Sequence, residues 1–187
     1  MKSALQTSAL DQKLFMVYLG GRVEGALVEV HDIRFVLGCS IEDTFEDLRQ
    51  QWWGEQSGLH LDCWGAIEYA DGYAVTLQSS PQESDNKLFF INLGGYDPKQ
   101  FTELHENILV VAPTESKAKV KALKSILHLK GAHKDNMYEV ENIYSLDNVA
   151  ADKSLYIHLE KTEKKQPFEF ICKYKRIDKI VRAEAAS

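Results

Sequence analysis

The segment Lys13-Leu14-Phe15-Met16-Val17-Tyr18-Leu19-Gly20-Gly21 returns 74 residues later as Lys87-Leu88-Phe89-Phe90-Ile91-Asn92-Leu93-Gly94-Gly95. A chain that repeats itself at a fixed offset builds one kind of unit more than once. At the same offset Leu27 meets Phe101, Glu29 meets Glu103, His31 meets His105, and Phe35-Val36-Leu37 meets Leu109-Val110-Val111. After one residue of slippage His60-Leu61-Asp62 falls on His133-Lys134-Asp135, and Glu68 on Glu141. The duplication therefore marks the architecture and a set of polar residues held in both copies.

Residues 13–19 are a β-branched and aromatic run of strand length, and Gly20-Gly21 reads as its terminator. A second strand over 27–37 places Glu29, His31, Ile33, Phe35 and Leu37 on one face by alternation. Its counterpart begins near Thr102. Ser40 with Asp43 forms a capping box before Ile41, Phe45, Leu48 and Trp52 at helical spacing. Thr114 caps the matching helix, whose stripe includes Ala118, Ala122 and Leu123. In 59–68 alternation sets His60, Asp62 and Trp64 against Leu61 and Cys63, and the second copy selects the His/Asp face for the core. Asp71-Gly72 is a turn leading into a strand over 73–78. Leu155–Leu159 and Phe168–Tyr174 read as a hairpin across the lysine-rich stretch Lys161 to Lys165.

Each copy thus reads strand, strand, helix, strand, strand. The expectation is an α+β protein of two tandem ββαββ repeats, roll or β-grasp-like, about a pseudo-two-fold axis, with an added C-terminal edge strand. Its divisions are a loose N-terminal arm (1–12), copy one (13–78), a linker (79–86), copy two (87–160), and an added hairpin strand and tail (161–187).

Leu19-Gly20-Gly21, Glu29-Val30-His31-Asp32, His60-Leu61-Asp62 and Asp71-Gly72-Tyr73, echoed by Leu93-Gly94-Gly95, Glu103-Leu104-His105-Glu106 and His133-Lys134-Asp135, resemble a bacterial family known as domain of unknown function 1543. The resemblance implies no activity.

Residues 1–86 carry 5 Lys/Arg against 14 Asp/Glu, and residues 87–187 carry 17 against 14. An acidic first half opposes binding along a phosphate backbone, so no nucleic-acid partner is expected. Cys39, Cys63 and Cys172 are odd in number and lack metal spacing, which reads as reduced thiols. No apolar run approaches a membrane span. A cytoplasmic protein is expected, with a small molecule or a protein, including a second copy in a homodimer, as its partner.

The candidate polar site comprises Glu29, His31, His60 and Asp62 with Glu103, His105, His133 and Asp135. A helical crossover between the second and third strands would run them parallel and bring both polar ends together. Imidazole and carboxylate suit iron, manganese or zinc, and also general-base work. They equally satisfy one another as a buried hydrogen-bond network. The sequence favours that network, hence no cofactor and a non-enzymatic interaction or small-ligand-binding protein. The alternative is a divalent transition metal on His31, His60 and Asp62, serving a hydrolase or oxygenase.

Overall fold

A computed structural model describes residues 11–97, 99–129, 139–164 and 166–178. The expected N-terminal arm falls almost wholly outside these residues, as do His133 and Asp135. The fold is α+β. It divides into two compact units, Met1–Ile67 with Phe168–Ser187, and Glu68–Pro167.

In the first unit, β1 (Lys13–Gly21) pairs antiparallel with β2 (Val30–Gly38) on one side and β3 (His60–Ala66) on the other, and β10 (Ile171–Arg176) closes the far edge of β3. Since β2 and β3 each oppose β1, they run parallel to one another, and both begin beside Gly20 and Gly21. Alternation along β1 sends Phe15, Val17 and Leu19 into a core with Val36, Leu61 and Trp64. Helix α1 (Phe45–Gln51) covers that face, with Ile41, Leu48 and Trp52 buried in the same cluster. Burying Leu48 completely is worth roughly 1.5–3 kcal/mol. Half of the predicted capping box forms: the Ser40 N–H donates to Asp43 Oδ2 at 2.8 Å, ahead of a 3-10 turn at Glu42–Thr44 whose N-cap is Ile41, without a side-chain cap bond.

The opposite face of this sheet changes character along its length. Leu14, Phe35 and Leu37 are buried at one end, whereas Tyr18, Gly20 and His31 make a polar end.

Two local features depart from the sequence pattern. Gly20 and Gly21 do not end the strand through a positive φ; both are paired within β1, and the positive-φ glycines among the described residues are Gly25, Gly58 and Gly72. On β3 a bulge at Asp62 breaks the alternation, since Leu61 faces Leu19 and Cys63 faces Tyr18. The added residue keeps Leu61 and Trp64 in the core and turns His60 and Cys63 to the polar face, so the His/Asp face is not the core face.

The second unit contains β6 (Lys87–Tyr96) between β7 (Glu103–Ala112) and β8 (Glu139–Ser145), again antiparallel on both sides. Helix α2 (Glu115–Leu129) covers Phe89, Ile91, Leu93, Val110 and Ala112 with Ala118 and Ala122. The Lys117 N–H donates to Thr114 Oγ1 at 3.3 Å, the expected cap. Beside it β4 (Tyr69–Ala70), β5 (Tyr73–Gln78) and β9 (Tyr156–Lys161) form a three-stranded sheet. A short α3 (Asp147–Ala151) precedes β9; five residues are too few to show helical periodicity in sequence. Because β9 pairs with β5 and β10 with β3, these strands are not the hairpin that the lysine-rich stretch between them implied.

Asp71 and Gly72 adopt φ of 53° and 82° at the tip of the β4–β5 hairpin, as a primed turn requires. Asp71 also accepts a 2.7 Å hydrogen bond from the Val111 N–H and pairs with Lys121. Asp71→Ala is therefore expected to destabilise this unit by about 1–3 kcal/mol, because the β7 amide loses its acceptor and the residue keeps a left-handed φ. Thermal denaturation of the full chain checks this, with Asp71→Asn, which tolerates that φ, retaining part of the loss.

No helix among the described residues is long and apolar enough to cross a membrane.

Candidate functional site

Four of the eight predicted polar residues meet at the Gly20 end of the first unit. Gly20 is the register partner of His31 on β2 and of His60 on β3, so the two imidazoles rise on either side of a residue without a side chain. A Cβ on Gly20 would stand 2.7 Å from His31 Cδ2 and 2.7 Å from His60 Nε2. The ring centroids are 6.2 Å apart, in an edge-on arrangement. Glu29 arrives from the residue before β2, and the β3 bulge turns Asp62 toward the same point.

The distances converge on one small volume. Asp62 Oδ2 lies 2.9 Å from His31 Nε2 and 3.4 Å from His60 Nε2. Glu29 Oε2 lies 4.0 Å and 3.8 Å from those nitrogens. Glu29, His31 and His60 offer ligand atoms all within 4.8 Å of one another, the one such group of three among the described residues.

Protons decide what this cluster is. His60 is 2% exposed, and its Nδ1 is 2.7 Å from the Gly58 carbonyl, which can only accept. Nδ1 therefore carries the proton, and in the neutral ring Nε2 presents a lone pair. That lone pair faces Asp62 Oδ2, another acceptor. The oxygen is buried and forms no aligned hydrogen bond, although His31 Nε2 stands 2.9 Å away. A closed network of donors and acceptors would not leave it so, since a buried, unpaired acceptor costs about 1–3 kcal/mol.

Aromatic rings flank both imidazoles. Tyr18 stacks on His31 at 5.1 Å, and the Tyr174 ring of β10 lies over His60 at 4.4 Å. Burial, reinforced by the Asp62 charge, pushes the Tyr18 hydroxyl above its usual pKa. Cys63 neighbours the site as the register partner of both Tyr18 and Cys172. Burial, with hydrogen bonding to Cys172, pushes its thiol up to about 11.

The second unit repeats the frame with other chemistry. Gly94 is the register partner of His105 and Glu139, and the bulge on β8 falls at Glu141. The residues standing where His60 and Asp62 stand are therefore Glu139 and Glu141, which corrects the alignment with His133 and Asp135. Here the polar groups satisfy one another. His105 Nδ1 is 3.1 Å from Glu141 Oε2. The Tyr96 hydroxyl is hydrogen-bonded to Glu103, whose carboxylate pushes its pKa up. Glu103 and His105 lie in this cluster, where Glu139 stands in the register position of His60. Sequence reasoning missed Gly20, Gly58, Tyr174 and Glu141. For Gly20 the signal was present in its recurrence as Gly94, and was spent on strand termination.

A family model described as Domain of Unknown Function (DUF1543) matches residues 26–77, a span that holds Glu29, His31, His60 and Asp62. The crystal structure of a protein Il1583 from Idiomarina loihiensis is similar at 30% identity with a TM-score of 0.67, over 89% of this chain and 97% of that one. The chain belongs to the DUF1543 family. No curated protein matches it. The family's name assigns no chemistry, so any functional reading of this DUF1543 member stands on the site itself.

Proposed function

We propose that this protein binds one divalent transition-metal ion at Glu29, His31, His60 and Asp62 and presents it to a small ligand. The observation that carries the reading is the buried Asp62 Oδ2, which faces a nitrogen lone pair and has no hydrogen bond. A cation between the two acceptors converts their repulsion into coordination. Ligands about 2.1 Å from a common centre stand roughly 3–3.5 Å apart when adjacent, which fits the His31–Asp62 and His60–Asp62 distances. Glu29, 45% exposed, needs only a side-chain rotation to close on the same centre. The Gly58 carbonyl supplies the outer partner that fixes a ligating imidazole in the required tautomer. Two imidazoles with carboxylates suit iron, manganese or zinc rather than calcium or magnesium.

Such a site accounts for the sequence without a nucleophile motif or a cofactor fingerprint, because the ion is itself the reactive or binding centre. Protein purified without chelator is expected to carry close to one equivalent of zinc, iron or manganese by elemental analysis. Chelator should lower its melting temperature by several degrees, since an ion at a hundred times its dissociation constant stabilises by about 2.7 kcal/mol. Identical melting with chelator and with each added metal would overturn the reading.

A further inference from the structure

The C-terminal strand β10 contributes no ligand, yet it carries Tyr174 over His60 and sits at an exposed sheet edge. Its ladder with β3 is broken: Ile171 and Cys172 pair with Trp64 and Cys63, the register shifts, and pairing resumes at Lys175 and Arg176. Tyr174 lies inside that irregular stretch. Beyond it the strand is held by the Lys175–Glu42 ion pair and by the Ile177 N–H donating to the Leu59 carbonyl.

At the other end of the break, Cys63 and Cys172 face each other as direct register partners. Directly opposed residues of antiparallel strands have Cα atoms about 4.5–5.5 Å apart, which lies inside the range of about 4.4–6.8 Å that a disulfide spans. The β3 bulge at Asp62 is what makes this pair, because it sets Cys63 on the polar face opposite Tyr18 and Cys172. Cys172 is exposed and reachable by a soluble oxidant, whereas Cys63 is half-buried behind it.

We propose that Cys63 and Cys172 are a dithiol that a peroxide closes to an intramolecular disulfide, fixing β10 and Tyr174 over the ion site. The Cys172 thiolate attacks one peroxide oxygen and the O–O bond breaks, giving a sulfenic acid and, after proton uptake, water. The Cys63 sulfur then attacks the sulfenic sulfur, the S–S bond forms, and a second water leaves. Two thiols and one peroxide become one disulfide and two waters, the sulfurs losing two electrons and the peroxide gaining them. In a reducing compartment such a bridge is transient, as a redox-responsive one must be. Closure depends on the two strands alone; its effect on the ion rests on the metal reading above.

The test uses the full chain, zinc-loaded and metal-stripped, treated with hydrogen peroxide. Free thiols are expected to fall from three to one in both forms, with a Cys63–Cys172 cross-linked peptide by mass spectrometry and Cys39 still free. The bridge should slow amide exchange in β10, and in the zinc-loaded chain slow the release of zinc to chelator several-fold. Cys172→Ser should release zinc as the reduced parent does, before and after peroxide. A disulfide-linked dimer, a stable sulfinic acid at Cys172, or three thiols surviving would overturn the dithiol. Closure with unchanged zinc release would overturn its coupling to the site, and closure in a chain that binds no metal would overturn only the reading on which that coupling rests.

Discussion

Gly20→Ala is expected to abolish metal binding while the chain still folds. The added Cβ would sit 2.7 Å from an atom of each imidazole, closer than real Cβ contacts come, so one ring must move. His60 cannot yield: it is buried, bonded to the Gly58 carbonyl and covered by Tyr174. His31, with 29% of its side chain exposed, yields instead and leaves the cluster. Overpacking costs about 1–3 kcal/mol. The gain from a less flexible unfolded chain is only about 0.4–1 kcal/mol, so net destabilisation is the expected sign. Gly94→Ala is the matched comparison. Its Cβ would press on Glu141 in the second unit, costing stability there while metal content stays unchanged. Elemental analysis and calorimetry of both variants check the pair, and a Gly20→Ala protein with full metal content would show that the rings do not meet over Gly20.

What the sequence carried and what it hid divide along physical lines. Capping chemistry is local, so Ser40, Asp43, Thr114 and the Asp71-Gly72 turn were legible from a few residues each. The gathering of Glu29, His31, His60 and Asp62 was also legible, because a helical crossover between the second and third strands makes them run the same way, as they do on either side of β1. A bulge is not legible by alternation, since it is an exception to alternation. At Asp62 one added residue leaves Trp64 and Cys63 on the faces expected of them but puts His60 and Leu61 on the faces opposite those expected. Fixed-offset pairing failed for a similar reason. Helix α2 has 15 residues where α1 has 7, so the strand after it starts later than an offset near 74 allows, and Glu139 and Glu141 occupy the places assigned to His133 and Asp135. The choice between a hydrogen-bond network and a metal site rests on which nitrogen of His60 carries a proton. That is decided by the Gly58 carbonyl, a backbone group whose position no residue pattern encodes.

Replacing Asp62 with asparagine separates those two readings most sharply, because they predict opposite signs. If Asp62 were the charged partner in a His31–His60 hydrogen-bond network, Asp62→Asn would weaken charge-assisted bonds and lower stability under all conditions. With the present geometry the metal-free protein instead holds a buried acceptor that has no formed hydrogen bond, set against the His60 lone pair with His31 Nε2 at 2.9 Å as its one close partner, a cost of about 1–3 kcal/mol. The asparagine amide brings donors to that position, and one N–H can serve His60 Nε2 directly. In chelator, Asp62→Asn is therefore expected to melt above the parent. Added zinc, iron or manganese reverses the order as its concentration rises. Parental stability grows with the logarithm of free metal, reaching about 4.1 kcal/mol at a thousand times the dissociation constant, while the variant lacks the anionic ligand and stays nearly flat. Melting curves of both proteins across a metal titration would show the two lines crossing. A variant that lies below the parent throughout, with parallel responses, would return Asp62 to a structural role.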